Sequence, residues 1–240
     1  MPNTDDTSYT EYNQIFANDP NLAFMNHGYY PIDSRVQDIF LNTCATLYCN
    51  LLDKVSNPQS KTILDVSCGR GGGTNLIKNL YKFKQVSGCD YNRSNIDYCL
   101  NNFTDINFVV DDAELLSKFA DSSIDCIINI EASQCFESKE SFFQNANRIL
   151  VSNGQMLYGD IFAPNGQRDI DLLLLKYFII EEKKDITFNI IRSCDHLAKK
   201  TSNININRYK LLNEIYTRKG NLYKSNKMRF VTYVLRKYNG

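Results

Sequence analysis

Residues 62–74, TILDVSCGRGGGT, decide the fold of this chain. A short apolar strand runs into a cysteine, and four glycines follow within five positions, at 69, 71, 72 and 73. Glycine permits positive φ and a close approach of the backbone, and the N-terminus of a following helix offers unpaired N–H groups. In parallel α/β sheets, ligands bind at the carboxyl ends of the strands. The stretch therefore predicts a loop that binds a nucleotide-like ligand at the end of a first strand.

Apolar segments alternate with helical patterns along the chain. Short strands are predicted at 62–67, 85–90, 106–110, 124–130 and 155–162. Nearly continuous apolar strands with right-handed helical crossovers are typical of a doubly wound, mainly parallel α/β sheet. Residues 34–52 predict a covering helix with Ser34 as its N-cap. After residue 163 the pattern indicates a helix at 168–176, a strand at 177–185, and a last strand at 228–235 that closes a hairpin at the sheet edge.

Composition excludes several classes of protein. The 240 residues carry no net charge, and the polar, acidic start lacks a signal-peptide pattern, so we expect a cytoplasmic protein without a transmembrane segment. Eight cysteines without a CxxC pair, and two histidines without ligand spacing, predict reduced thiols and no metal site. Residues 199–240 hold eleven Lys or Arg against one acid, which indicates either a solvated face or an anionic partner.

The glycine stretch fits neither common phosphate-binding pattern. It lacks the GxGxxG of dinucleotide sites and the lysine of GxxxxGK. DVSCGRGGG instead resembles motif I of the class I S-adenosylmethionine-dependent methyltransferases, in which an acidic residue precedes alternating glycines. Asp65, Gly69 and Gly71 match, and Ser67 stands where the family has its first glycine.

Three later segments extend the resemblance over roughly residues 62–162. Asp90 closes the second strand, where the family binds both ribose hydroxyls. In VVDDAELL, Asp112 and Ala113 align with the adenine contacts, and Asp111 is the alternative by one position. SIDCIINIEASQCF resembles the family's fourth strand. The resemblance implies a donor site for S-adenosyl-L-methionine, released as S-adenosyl-L-homocysteine, built from Asp65, Ser67, Cys68, Gly69, Gly71, Asp90, Tyr91, Asp111, Asp112, Ala113, Ile130 and Tyr29.

The same resemblance implies a Rossmann-like, seven-stranded sheet with an antiparallel last strand in a single domain. Residues 1–55 would form N-terminal lid helices, residues 56–162 the donor-binding core, and residues 163–240 a cap with the C-terminal strands.

The turn IEASQCF is most similar to small-molecule methyltransferases, the sterol and tocopherol C-methyltransferases and the phthiotriolone-type O-methyltransferases. Glu131 matches the glutamate of that group, whereas Gln134 replaces its usual histidine. The segment FMNHGYYP at 24–31 resembles the lid of the group, and Phe178, Phe188 and the leucines 172–175 are candidates for an acceptor pocket. Glu131, His27 and His196 are the candidate catalytic residues for O- or C-methylation of a hydrophobic small molecule by a monomer or homodimer that binds no nucleic acid.

Two alternatives remain open. The basic residues of 199–240 would suit an RNA methyltransferase. The departures at Ser67 and Gln134 would suit a protein that binds the donor without turnover.

Overall fold

A computed structural model describes residues 19–238. Its centre is one seven-stranded sheet in the order β3-β2-β1-β4-β5-β7-β6. The first five strands are parallel, and β7 is inserted antiparallel between β5 and β6. This confirms the predicted doubly wound sheet with an antiparallel last strand. The strands are β1 Thr62–Val66, β2 Gln85–Asp90, β3 Asn107–Val110, β4 Ile124–Ile130, β5 Leu150–Phe162, β6 Phe178–Asp185 and β7 Arg229–Lys237.

Seven α-helices accompany the strands within residues 19–238. They are α1 Asn42–Leu52, α2 Gly72–Leu76, α3 Arg93–Asn102, α4 Lys139–Ile149, α5 Gln167–Leu174, α6 Thr187–Ser202 and α7 Asn207–Lys224. Short 3-10 turns lie at Pro20–Leu22, Ser34–Val36, Pro58–Ser60 and Ser133–Cys135, and a π-helical turn at Ile77–Tyr81 continues α2. None of these helices combines the length and hydrophobicity that crossing a bilayer requires.

The helix predicted over 34–52 is shorter than expected. The α-helix begins only at Asn42, and Ser34 opens a separate 3-10 turn. Asp33, not Ser34, caps that turn, because its carboxylate accepts a hydrogen bond from the Arg35 N–H at 2.9 Å.

Two large apolar clusters account for most of the buried core. One joins α1, α6 and α7 to residues of β1, β4 and β5, and the other joins α4 and α5 to β4, β5 and β7. Helices α6 and α7 pack against each other, and this pair of helices is called the cap below. Phe178 and Leu174 are buried in the cluster of α4 and α5, which does not include the cap residues, and Phe188 is exposed.

The predicted hairpin at the sheet edge was wrong. Strands β6 and β7 do pair antiparallel, but α6 and α7 stand between them in the chain. The predicted lid begins before the described range, since residues 1–18 lie outside it.

Candidate active site

The carboxyl ends of β2, β1 and β4 lie side by side, so the residues that follow these strands share one edge of the sheet. The register pairs Asp65 of β1 with Gly88 of β2 and with Ile128 of β4. Asp90 therefore closes β2 on one side of the glycine loop, and Glu131 follows β4 on the other side.

The loop after β1 turns through three left-handed residues. The angle φ is +59° at Ser67, +55° at Gly69 and +73° at Gly71. A β carbon in this region costs about 1–2 kcal/mol, so Ser67 carries strain that a glycine would avoid. At Gly71 a β carbon would also stand 2.8 Å from Cys99 Sγ. The serine thus keeps the loop shape that the family obtains with glycine.

Asp65 lies beneath this loop. Its carboxylate accepts hydrogen bonds from Thr74 Oγ1 at 2.7 Å and from the Tyr48 hydroxyl at 3.4 Å, and the residue is 1% exposed. Burial raises the pKa of Asp65 to about 7, although both hydrogen bonds oppose the rise. The side chain ties β1 to α1 and α2, and so it supports the loop from below.

Asp90 accepts hydrogen bonds through both carboxylate oxygens. Oδ2 accepts from the Gly69 N–H at 2.9 Å, and Oδ1 accepts from the Asn92 N–H at 2.9 Å and from Asn95 Nδ2 at 3.1 Å. Burial raises the pKa of Asp90, and the three hydrogen bonds counteract this rise. A carboxylate has about four lone-pair sites, so Asp90 keeps the capacity to accept from a further hydroxyl.

The two neighbouring aspartates after β3 have different surroundings. Asp112 is partly exposed, and its Oδ1 accepts from the Glu114 N–H at 2.9 Å. Asp111 is buried and accepts hydrogen bonds within the turn that follows, from Asp112 N, Ser117 Oγ and Lys118 N. Asp112 is thus the more accessible of the two carboxylates and is followed by the buried Ala113, whereas Asp111 stabilises the turn.

Lid residues lie directly on the glycine loop. The Ala23 carbonyl accepts a hydrogen bond from the Gly72 N–H at 3.3 Å, at the start of α2. Met25 Sδ is 3.1 Å from the position that a β carbon on Gly69 would take. A ligand that lay on Gly69 would share this space with the flexible Met25 side chain, so residues 23–25 belong to the site.

Glu131 and His27 meet at the end of β4. Glu131 Oε1 accepts a hydrogen bond from the His27 backbone N–H at 2.7 Å, and Oε2 lies 3.1 Å from His27 Nδ1. Glu131 itself has φ +55°, which turns the chain out of the sheet. The structure thus unites two of the three predicted catalytic residues, which are 104 positions apart.

Burial shifts the proton affinity of both groups towards their uncharged forms. It raises the pKa of Glu131 to about 8 and lowers that of His27 to about 3. His27 is therefore uncharged at neutral pH, and the Glu131 carboxyl titrates close to neutrality. A group with such a pKa suits proton transfer near physiological pH.

Contacts from three helices fix His27 in this position. The Tyr223 hydroxyl of α7 lies 3.1 Å from His27 Nδ1, and Ser193 Oγ of α6 donates to the His27 carbonyl at 2.6 Å. The preceding Asn26 donates through Nδ2 to the Cys44 carbonyl of α1 at 3.3 Å. Tyr223 thus contacts the ring of His27, Ser193 fixes its backbone, and Asn26 anchors the preceding residue to α1.

The other predicted residues occupy varied places. His196 lies on α6 with its ring 5.8 Å from that of Tyr30, and no hydrogen bond joins it to Glu131 within residues 19–238. Tyr91 follows Asp90 and is 70% exposed, whereas Cys68 and Ile130 are buried. Tyr29 is half-buried and packs against the apolar cluster that contains α1, α6 and α7.

Sequence reasoning missed Asn95, Ser193 and Tyr223. Asn95 had a usable signal, because it lies one helical turn after the Asn92 cap and so faces Asp90. Ser193 and Tyr223 had none, since their contacts with His27 span 166 and 196 positions.

The Methyltransferase domain family matches residues 64–158, the segment that includes the glycine loop, Asp90 and Glu131. Residues 64–158 therefore carry a methyltransferase domain of the class I S-adenosylmethionine-dependent type. The matched segment runs from β1 into β5, and helices α1, α5, α6 and α7 lie outside it.

Curated methyltransferases resemble part of the chain. A phthiotriol/phenolphthiotriol dimycocerosates methyltransferase of Mycobacterium ulcerans is 36% identical over 107 residues, which are 44% of this chain and 39% of the relative. A fatty-acid O-methyltransferase of Mycolicibacterium smegmatis is 26% identical over 151 residues, 59% of this chain and 54% of the relative. The chain spans about half or less of the length of these relatives.

A solved methyltransferase shares the fold over the whole chain. The geranyl diphosphate C-methyltransferase of Streptomyces coelicolor, solved with Mg²⁺, geranyl diphosphate and S-adenosyl-L-homocysteine, superposes with a TM-score of 0.73 at 14% identity. The match covers 99% of this chain and 100% of that one. At this identity the match shows the shared fold alone.

The residues at the sheet edge fit an adenosyl donor. Beside Asp90, the buried Oδ1 of Asn95 has no hydrogen-bond partner within residues 19–238. Two adjacent acceptors, one carboxylate and one amide, suit the paired hydroxyls of a ribose. The methyltransferase loop next to them has the backbone shape and the helix N-terminus that close approach of a ligand requires.

Proposed function

We propose that the chain is an S-adenosylmethionine-dependent methyltransferase that methylates oxygen or carbon of a hydrophobic small molecule, of lipid, polyketide, isoprenoid or phenolic type. The observation that carries the proposal is the Glu131–His27 pair, buried at the end of β4 beside the glycine loop. Carboxyls with strongly raised pKa values cluster at functional sites, and the partner of Glu131, His27, comes from the segment that also contacts the glycine loop through Ala23.

The bound donor supplies a methyl group activated on a sulfonium, so the protein mainly orients the acceptor and accepts its proton. Asp90, Asp112 and the loop of residues 67–71 would hold the donor. Ionised Glu131 accepts the proton that the acceptor loses when its oxygen or carbon gains the methyl group. His27 orients Glu131 through its backbone N–H and its ring nitrogen.

The apolar packing of α6 and α7 favours an apolar acceptor. Helices α6 and α7 belong to the same apolar cluster as Ile130, the residue before Glu131. Buried aromatic rings of α7 contribute to that cluster, namely Tyr209, Tyr216 and Tyr223. The names of the relatives, which refer to phthiotriol lipids, fatty acids and geranyl diphosphate, support the same class of acceptor over RNA.

Several basic residues of the C-terminal region form ion pairs with acidic residues of the same chain. Arg208 pairs with Asp19, Lys224 with Asp195, and Arg229 with Asp185. These ion pairs support the interpretation of the basic surface as a solvated face, so we expect no nucleic-acid partner. The eight cysteines, none of which forms a disulfide, support a reducing compartment such as the cytoplasm, and a monomer or homodimer remains our expectation.

The test is transfer of a labelled methyl group by the purified full chain. Donor labelled in its methyl group would be incubated with fatty acids, phenols and isoprenoid olefins, and products would be identified by mass spectrometry. We expect labelled product from at least one apolar class. Binding of S-adenosyl-L-homocysteine without labelled product, also from a total lipid extract, would contradict the proposal.

Matched variants identify the source of any product. Glu131→Gln should abolish labelling, whereas Glu181→Gln should retain it, because Glu181 is a surface residue of β6 paired with Arg236. A label that persisted in both variants would show that Glu131 is not needed.

A further inference from the structure

Tyr223 contacts the Glu131–His27 pair through a single hydrogen bond. Its ring is 2% exposed and packs edge-on against the His27 ring, with 5.9 Å between the ring centroids. The hydroxyl lies 3.1 Å from His27 Nδ1, and within residues 19–238 this nitrogen is its hydrogen-bond partner. Within residues 19–238, His27 Nδ1 is therefore the one acceptor for the Tyr223 hydroxyl proton.

The 3.1 Å distance leaves the direction of this hydrogen bond open, because either the hydroxyl or the ring nitrogen can donate. The Tyr223 hydroxyl has no other acceptor within residues 19–238, so its proton is paired only when the O–H points at His27 Nδ1. A nitrogen that accepts a hydrogen bond carries no hydrogen, which leaves the proton of the uncharged ring on Nε2. His27 is thus held in its Nε2–H tautomer.

The same argument reaches Glu131. Its Oε2 lies 3.1 Å from Nδ1, and an ionised oxygen would face the nitrogen lone pair without a hydrogen between them. A proton on Oε2 removes this repulsion, because the carboxyl group then carries no charge. The one lone pair of Nδ1 is then shared between the Tyr223 and Glu131 O–H groups, each 3.1 Å away, as a three-centre hydrogen bond. Oε1 remains the acceptor for the His27 backbone N–H at 2.7 Å.

We propose that Tyr223 is a positioning residue that keeps His27 Nδ1 unprotonated and thereby holds Glu131 as a carboxylic acid in the resting protein. The catalytic consequence rests on the proposed function: Glu131 must lose this proton before it can accept one from the acceptor. Tyr223 therefore acts together with burial in setting the pH at which the pair becomes active.

The other titratable groups around the pair act in both directions. Burial dominates the raised pKa of Glu131, the nearby Asp160 adds to it, and Lys219 opposes it. The charge of Glu131 in turn raises the pKa of four buried neighbours on three helices, Tyr48 and Cys44 of α1, Cys194 of α6 and Tyr223 of α7. Asp160 on β5 is itself a buried carboxyl whose pKa burial raises.

Nitrogen NMR of histidine tests the proposal without donor, acceptor or turnover. The chain has only two histidines, His27 and His196, so ¹⁵N-histidine labelling gives two sets of signals, and His196→Gln assigns them. At pH 7 we expect His27 to show an unprotonated Nδ1 and a protonated Nε2. In Tyr223→Phe, Nδ1 should gain the hydrogen and donate it to an ionised Glu131.

Two further variants make the result decisive. Tyr209→Phe is the matched control, because Tyr209 is also buried on α7 but its hydroxyl bonds Asp19 at 2.8 Å; the His27 signals should not change. Glu131→Gln should keep the Nε2–H tautomer, since its amide oxygen accepts from the His27 N–H and its amide N–H donates to Nδ1, as the carboxylic acid does.

A protonated Nδ1 in the unmodified chain, or His27 signals that do not change in Tyr223→Phe, would overturn the proposal. If an acceptor is found, the acid limb of kcat/KM should move to lower pH by about one unit in Tyr223→Phe, the scale of one hydrogen bond. Failure of methyl transfer would leave the NMR result intact, so the two proposals fail separately.

Discussion

Glu131 and His27 lie 104 positions apart in sequence, yet Glu131 accepts the His27 backbone N–H at 2.7 Å and lies 3.1 Å from its ring nitrogen. This relationship joins the end of β4 to the segment around His27, so that residues far apart in sequence position the carboxyl group. The lid touches the glycine loop as well, through Ala23 and Met25. Donor loop and carboxyl pair therefore share one covering segment.

The raised pKa of Glu131 predicts the pH dependence of methyl transfer. Burial raises this pKa to about 8, and a general base must be ionised, so kcat/KM should increase with pH and level off above about pH 8. Glu131→Gln should lower kcat by roughly 100-fold or more. Initial rates between pH 6 and 9 measure both. A flat profile, or an equal loss in the surface variant Glu181→Gln, would contradict a role for Glu131 as base.

Removal of the Asp90 carboxylate should weaken donor binding. Asp90→Ala loses charge-assisted hydrogen bonds, and we expect S-adenosyl-L-homocysteine to bind less tightly by about 1.5–3 kcal/mol. Isothermal titration calorimetry gives this value directly. Asp97→Ala, in helix α3 that follows β2, is the control, because Asp97 is exposed and its only ion pair within residues 19–238 is with Arg93, 3.4 Å away at i,i+4. Unchanged affinity in Asp90→Ala would count against the donor site.

Relief of backbone strain at Ser67 should stabilise the fold. With φ +59°, Ser67→Gly removes a β carbon from the left-handed region, and the gain should exceed the entropic cost of glycine by about 0.5–1 kcal/mol. Chemical denaturation measures the free energy of unfolding. Ser152→Gly in β5, where φ is not positive, should instead destabilise. A loss of stability in both variants would show that Ser67 is not strained.

The raised pKa of Asp65 predicts that stability decreases as pH rises from its ordinary value of 3.8 through about 7. Its carboxyl keeps a proton up to about pH 7 in the folded chain, against an ordinary value of 3.8, so its contribution is complete below pH 3.8 and is lost as pH rises through 7. His27 has the opposite effect on stability, because its pKa is lowered to about 3. This effect is confined to pH values below about 6.5, its ordinary pKa. Between pH 6.5 and 8 the free energy of unfolding should therefore fall.

The variant Asp65→Asn isolates that contribution. It should reduce the decrease between pH 6.5 and 8 by about 1 kcal/mol, while Asp105→Asn, on an exposed turn, should leave it unchanged. Urea denaturation at the two pH values provides the measurement. An identical decrease in all three proteins would assign it to groups other than Asp65.

Local sequence patterns were enough to predict the strands that border the proposed donor site. The predicted strands 85–90 and 124–130 agree with β2 and β4 residue for residue, because buried parallel strands are continuous apolar runs bounded by turns. The predicted hairpin failed because the sequence between β6 and β7 was interpreted as irregular. In fact it contains α6 and α7, whose buried residues recur at helical spacing.

The sequence by itself determined the sheet, the glycine loop and the acid that ends β2, since each depends on neighbours within a few residues. It also marked Glu131, but it treated His27 and His196 as equal candidates. Only the tertiary structure separated them, by bringing His27 to Glu131 and leaving His196 beside Tyr30. Such contacts depend on how lid, cap and core pack together. Contacts between segments distant along the chain produce no periodic sequence pattern. The contact of Tyr223 with His27 could therefore be found only in the tertiary structure.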